Sequence, residues 1–248
     1  MIFTLYIYFG YNVTISHVTV GHTICYMPSQ TFFNLPDEKR EAIVKVALDE
    51  FSTLDYNSAS ISRIVRETGI AKGSFYQYFQ DKKDLYVYLL NLVSEAKQAV
   101  VQNTSPPKAK MDFYEYLGWL FDLSIEFDRT HPILSRLAYR AFYGNSSFRD
   151  PEIEKKEKAF SDFIHQLITK GIKSGEIDTN VDLEMAVFAV DTLINAFNNS
   201  YVPQQTGTTA DVLAEKGSSS LDIELVKGQF AKLIHILKFG LFRQQNDR

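Results

Sequence analysis

The sequence predicts an all-α fold, an N-terminal helix-turn-helix domain followed by a larger helical domain, and three observations predict it. Beyond Pro36 the apolar residues recur at three- and four-residue spacing, with no strand-like alternation and no internal repeat. Two short helical stretches meet at a turn containing Gly69. A polar stretch with paired prolines, NTSPPKAK at 103–110, then reads as a linker to the second domain.

The first 36 residues stand apart, because they contain no Asp, Glu, Lys or Arg. A signal peptide needs a basic start and a small-residue cleavage site, and a membrane span would not carry Asn12, Ser16, His17 and His22. The expectation is a leader over 1–30, outside the functional fold, with the natural start at Met27; strand-like packing onto the body and weak membrane association are the alternatives. His17, His22 and Cys25 have no regular metal-ligand spacing, so no metal site and no cofactor is expected.

The first helix opens on Pro36, Asp37 and Glu38 and buries Ile43, Ala47 and Phe51 with Val44 and Leu48. A second starts at Ser58 or Ser60, carries the stripe Ile61, Ile64 and Val65, and stops at Gly69. A third covers about 71–79, and Asp81 caps a long fourth. The helix-turn-helix domain is thus expected over 36–83, a connecting helix over 84–103, and a second domain over 104–248. Five more helices are expected at about 110–129, 131–144, 150–174, 182–202 and 221–243.

Of 248 residues, 45% are hydrophobic and 23% charged, enough to bury a core; the net charge of −4 excludes a protein that coats nucleic acid by bulk charge. Any polyanion site must be local. One cysteine cannot form an internal disulfide, which suits a reducing cytoplasm. No Gly-x-Ser-x-Gly elbow, phosphate-binding glycine loop or helical His pair is present, so enzyme chemistry is not expected.

The local site is GIAKGSFYQYFQDKKDLY, 69–86. At about 100° per residue, Phe75 and Phe79 share one face and Gly73 and Gln77 lie roughly opposite, with Ser74, Tyr76 and Tyr78 flanking. Between 60 and 83 there are five basic residues against two acidic ones, although 36–83 as a whole is balanced at eight each. Gly73 lets a helix N-terminus approach base edges, with Lys72 beside it and Gln77 able to pair with an adenine edge. Tyr76, Tyr78 and Lys82 are placed at phosphate reach, and the start of the second helix near Ser60 offers free N–H groups.

These residues resemble the N-terminal domain of the tetracycline-repressor (TetR/AcrR-type) family of bacterial transcription regulators. The match covers about 37–86 and includes the pattern Gly-x-x-Lys-Gly-x-x-Tyr-x-Tyr-Phe-x-x-Lys. It implies a ligand-responsive homodimer bound to a palindromic double-stranded DNA operator, a repressor released by a small apolar inducer. One departure is Ala71, where many relatives place Ser or Thr as N-cap.

In the second domain an ordinary aromatic core accounts for most rings, but Tyr116, Trp119, Phe127, Tyr139 and Tyr143 could also line a pocket, with His131 and His165 as polar handles, where the family would place its inducer. Ala186, Ala189, Leu193, Ala196 and Ser200 form a small-residue stripe, and Val226, Phe230, Leu233, Leu237 and Leu241 a large one, which together could build a four-helix dimer interface, a plain internal core being the alternative for either. The competing functional reading is a helical adaptor whose tyrosine-rich face binds protein.

Overall fold

The computed structural model describes residues 28–108, 110–143, 151–207 and 221–240, and no strand occurs among them. Met27, His17, His22 and Cys25 lie outside these residues, as does Leu241.

The chain enters the fold earlier than its composition suggests. A single turn, α1 (Gln30–Phe33), buries Phe32 completely. Leu35 also packs against the core, so the uncharged segment does not stand outside the fold up to residue 36. Burying one phenylalanine stabilises by about 1.5–3 kcal/mol, ample reason for the last part of an apolar segment to fold inward.

Three helices complete the first domain. In α2 (Asp37–Thr53), Asp37 and Glu38 occupy the first turn, where the helix dipole favours acids, and Ile43, Ala47 and Phe51 point into the core. The next helix, α3 (Ile61–Thr68), ends at Gly69, whose φ of 68° is left-handed and admits glycine without strain. After Ile70 and Ala71 comes α4 (Lys72–Tyr78), with Phe75 fully buried. The long α5 (Lys82–Asn103) starts where the Asp81 carboxylate accepts the Asp84 N–H at 2.8 Å. Its near end packs Leu85, Tyr86 and Leu89 into the first domain, so α5 belongs to both halves.

In the second half, α6 (Phe113–Thr130) is opened by a capping box between Asp112 and Glu115 and is followed by α7 (Pro132–Tyr143) and α8 (Pro151–Ser174). Asp182 caps α9 (Leu183–Ala196), which runs through a wider π turn (Phe197–Tyr201) into the short α10 (Val202–Thr206). The single helix expected over 182–202 is therefore divided. Asp222 caps α11 (Ile223–Phe239). Phe121 of α6 and Phe230 of α11 stack with centroids 4.0 Å apart, and Lys238 pairs with Asp112 at 3.0 Å, which together fasten α11 along α6. Between the halves, Arg140 of α7 donates from Nε to the Ser52 carbonyl of α2 at 2.8 Å.

Of the two readings of the large stripe, the internal core holds for its described residues and the dimer face does not. Val226 and Phe230 are buried within the subunit, and Leu233 and Leu237 pack partly against the same core. The free apolar face of α11 is Leu225, Ile236 and Phe239. On α9 the exposed large apolar residues are Met185, at 62%, and Phe188, at 64%, with Leu193.

Candidate nucleic-acid interface

The surface built by α3, its turn and α4 begins with what the core holds back. Phe75 and Phe79 anchor α4, their centroids 5.4 Å apart. That leaves Lys72, Gly73, Tyr76 and Gln77 exposed in a row and Ser74 half-buried beside them. Tyr76 is 53% exposed, with its ring edge-on to Phe75 at 5.2 Å, so its hydroxyl projects from a fixed base.

Gly73 is the most informative of these. A Cβ built there meets nothing within 4 Å, so no neighbour within the chain demands a glycine. Its backbone is ordinary helix and needs no positive φ either. Glycine is also a weaker helix former than alanine, by up to about 1 kcal/mol in a helix interior, and Gly73 lies in the first turn of a helix of only seven residues.

The α3 end is held by an acid. Glu50 accepts the Ser60 N–H at 2.7 Å through one oxygen and pairs with Arg63 at 3.0 Å through the other, while its side chain is buried. The Ser60 hydroxyl caps nothing, and the Ile61 and Ser62 N–H groups that open α3 have no acceptor within the helix. Such a helix start suits a phosphate. Arg66 pairs with Glu67 at 2.8 Å.

Two expected contacts are corrected. Tyr78 is 5% exposed and lies against Phe32, centroids 6.0 Å apart; α1 covers the flank of α4 that the helical projection leaves open. Lys82 turns inward. Its ammonium donates to the carbonyls of Tyr56 at 2.8 Å, Asn57 at 3.2 Å and Ala59 at 3.1 Å, and sits 4.6 Å from the Tyr56 ring. Three donors on three acceptors use the full capacity of a lysine, so it ties the loop before α3 to the start of α5. As expected, Ala71 gives α4 no side-chain cap.

Sequence reasoning passed over Glu50 and Ser29. Ser29 donates its N–H to the Tyr78 carbonyl at 2.8 Å and its hydroxyl to the Gln77 carbonyl. Neither has a local signature, because each partner is brought close only by the fold.

The residues assigned to a ligand pocket fall in separate places. Tyr116 packs on Trp119 at 5.5 Å and on Phe163 of α8 at 6.4 Å. Phe127 is fully buried and stacks on His131 at 4.8 Å. Tyr139 is buried, His165 faces Glu184 at 3.6 Å, and the Tyr143 side chain lies outside the described residues. Beside Phe127, the Lys97 ammonium lies 5.1 Å from the ring, and the buried Asp128 accepts the Ser135 hydroxyl at 2.6 Å. Burial, against weaker opposing charges, raises the Asp128 pKa from its ordinary range. An open groove of about 320 Å³ lies elsewhere, between α2, α5 and α7, lined by Val44, Leu48, Tyr88, Leu92 and Ile133.

Comparison with known proteins bears on most of the chain. The profile of "Bacterial regulatory proteins, tetR family" matches 43–89, and that of "Tetracyclin repressor-like, C-terminal domain" matches 111–241. The HTH-type transcriptional regulator SrpR of Pseudomonas putida is 23% identical over 207 residues, 80% of this chain and 86% of that one. A TetR family transcriptional regulator from Chloroflexus aurantiacus J-10-FL has a solved structure with 36% identity, covering 88% of this chain and all of that one at a TM-score of 0.67. The transcriptional regulator FadR from Bacillus subtilis, solved in complex with stearoyl-CoA, shares the fold at a TM-score of 0.57 with 17% identity, over 82% of this chain and 99% of that one.

Proposed function

The chain belongs to the TetR family of bacterial regulatory proteins, and from that premise we propose that it is a DNA-binding transcriptional repressor that grips a palindromic operator as a homodimer and releases it on binding a small apolar molecule. The observation that carries the reading is the exposed row on α4 around Gly73, a glycine that no contact inside the chain explains.

In this reading α4 enters the major groove. Gly73 lets its first turn come close to the bases, Gln77 pairs with a base edge, and Lys72, Ser74 and Tyr76 hold phosphates together with the α3 start at Ser60. Two copies would meet through the free faces of α9 and α11, where Met185, Phe188, Ile236 and Phe239 are exposed apolar side chains. The inducer would bind in the second half near Phe127, beside Lys97 of the shared helix α5, and act by favouring a spacing of the two α4 helices that no longer fits successive major grooves. No described helix is long and apolar enough to cross a membrane.

Selecting bound duplexes from a random pool tests the reading. The expected product is a palindrome with half-sites about one helical turn apart, and Gln77→Ala should relax preference at one position per half-site by about 1–3 kcal/mol. Recovery of no common sequence would sink it.

A further inference from the structure

The helix placed on DNA is poorly equipped to hold its own shape. It has seven residues, fewer than an isolated helix needs, and its N-cap is Ala71, which supplies no acceptor. Gly73 weakens it further. Its geometry must be imposed by neighbours, and Phe75 and Phe79 fix only one face.

The other end is held from outside the segment that the N-terminal family profile matches, which begins at residue 43. Ser29 takes two successive carbonyls of the last turn, Tyr78 O by its N–H and Gln77 O by its hydroxyl. Three residues on, Phe32 sits 4.8 Å from the Phe79 ring and 5.6 Å from Tyr88 of α5. This turn is itself fastened: Arg40 of α2 donates to the carbonyls of Phe33 at 3.3 Å and Leu35 at 3.2 Å, and pairs with Asp37 at 2.6 Å. An unbroken set of contacts runs from the body of α2 through α1 to the backbone of Gln77.

We propose that Ser29 and Phe32 are positioning residues for DNA recognition: they form a brace that fixes the orientation of α4, and so of Gln77, and thereby contribute to sequence selectivity. The proposal rests on the reading that α4 enters the major groove. Base-edge hydrogen bonds need a donor and acceptor placed within a few tenths of an ångström, whereas a phosphate contact by a long, flexible lysine tolerates a tilt. Loosening the brace therefore acts on selective binding before it acts on general binding.

The experiment uses the full chain and two labelled duplexes, one selected from a random pool and one with its bases scrambled. Ser29→Ala should weaken binding to the selected duplex about threefold to tenfold, the equivalent of one hydrogen bond, and leave the scrambled duplex and the salt slope as in wild type. Ser29→Thr keeps the hydroxyl and should restore the selected-to-scrambled ratio. Phe32→Leu, which retains an apolar side chain of similar reach, should lower the same ratio without abolishing the folding transition. An unchanged ratio in Ser29→Ala and Phe32→Leu overturns the brace, and so does an equal loss on both duplexes accompanied by a lower thermal midpoint, which would mean general destabilisation. Lys72→Ala run alongside separates the two levels: if it alters binding to neither duplex, the placement of α4 on DNA fails, and the brace with it.

Discussion

The Nε of Arg140 lies 2.8 Å from the carbonyl oxygen of Ser52, a charged donor from α7 at the C-terminal turn of α2. Helix C-termini carry partial negative charge, so this contact combines a hydrogen bond with a favourable dipole. It joins residues 88 apart in sequence and links the DNA-binding half directly to the second half.

Arg140→Ala is accordingly expected to lower the unfolding free energy by about 1–3 kcal/mol, since it removes a charged donor from a carbonyl. Arg140→Lys should recover only part, because a point ammonium does not reproduce the planar guanidinium. Chemical denaturation checks both, and wild-type midpoints would show that the contact adds nothing.

Lys82 and Lys72 should respond in opposite ways. Lys82 spends its donors on three carbonyls, so Lys82→Met should lower the thermal midpoint while the salt slope of DNA binding stays put. Lys72 is exposed on α4, so Lys72→Ala should flatten that slope by about one unit at unchanged midpoint. A flattened slope in Lys82→Met would return that ammonium to the DNA.

Most of the architecture was legible in the sequence because three- and four-residue spacing, Asp caps and Gly69 act locally. What was not legible depends on distant neighbours. Tyr76 and Tyr78 are alike in a helical projection, and only Phe32, from an uncharged segment, decides that one is covered and the other free. A lysine opening a helix ordinarily points to water; nothing local shows that Tyr56, Asn57 and Ala59 turn their carbonyls toward Lys82. Likewise a stripe such as Val226 and Phe230 shows that a face is buried, not whether its cover is the same chain or a second one.

Stability in acid should carry a signature of the loop before α3. The Asp55 carboxyl is held below its ordinary 3.8 chiefly by the Ser58 hydroxyl, 2.7 Å away, and then by the Ser58 and Asn57 amides. A depressed folded-state pKa contributes stability that is complete above 3.8 and is lost as pH falls through the lower folded value. Asp55→Asn keeps an acceptor but cannot titrate, so its stability should fall less steeply across that window; parallel acid-denaturation curves for the two proteins would contradict this.

The free faces of α9 and α11 give a prediction about assembly. Phe188 is 64% exposed and sits beside Met185, so Phe188→Asp should convert a dimer to monomers in sedimentation while leaving the helical circular-dichroism signal unchanged. Dimers of normal strength would move the interface to another surface.

The π turn at Phe197–Tyr201 fits one residue more into its turn than an α-helix would. The helix on either side of it is consequently out of phase by roughly one α-helical step, about 100°. Val202, buried beyond the turn, and Phe197, edge-on to Phe230, can therefore both reach the interior, which an unbroken helix of the same length would not allow on the same rotation. Removing a single residue between Phe197 and Tyr201 would rewind this stretch into regular helix and swing Val202 away from the core. The surplus residue thus works as a phase shifter, and the reading frame of burial along the end of the bundle is set by where it sits.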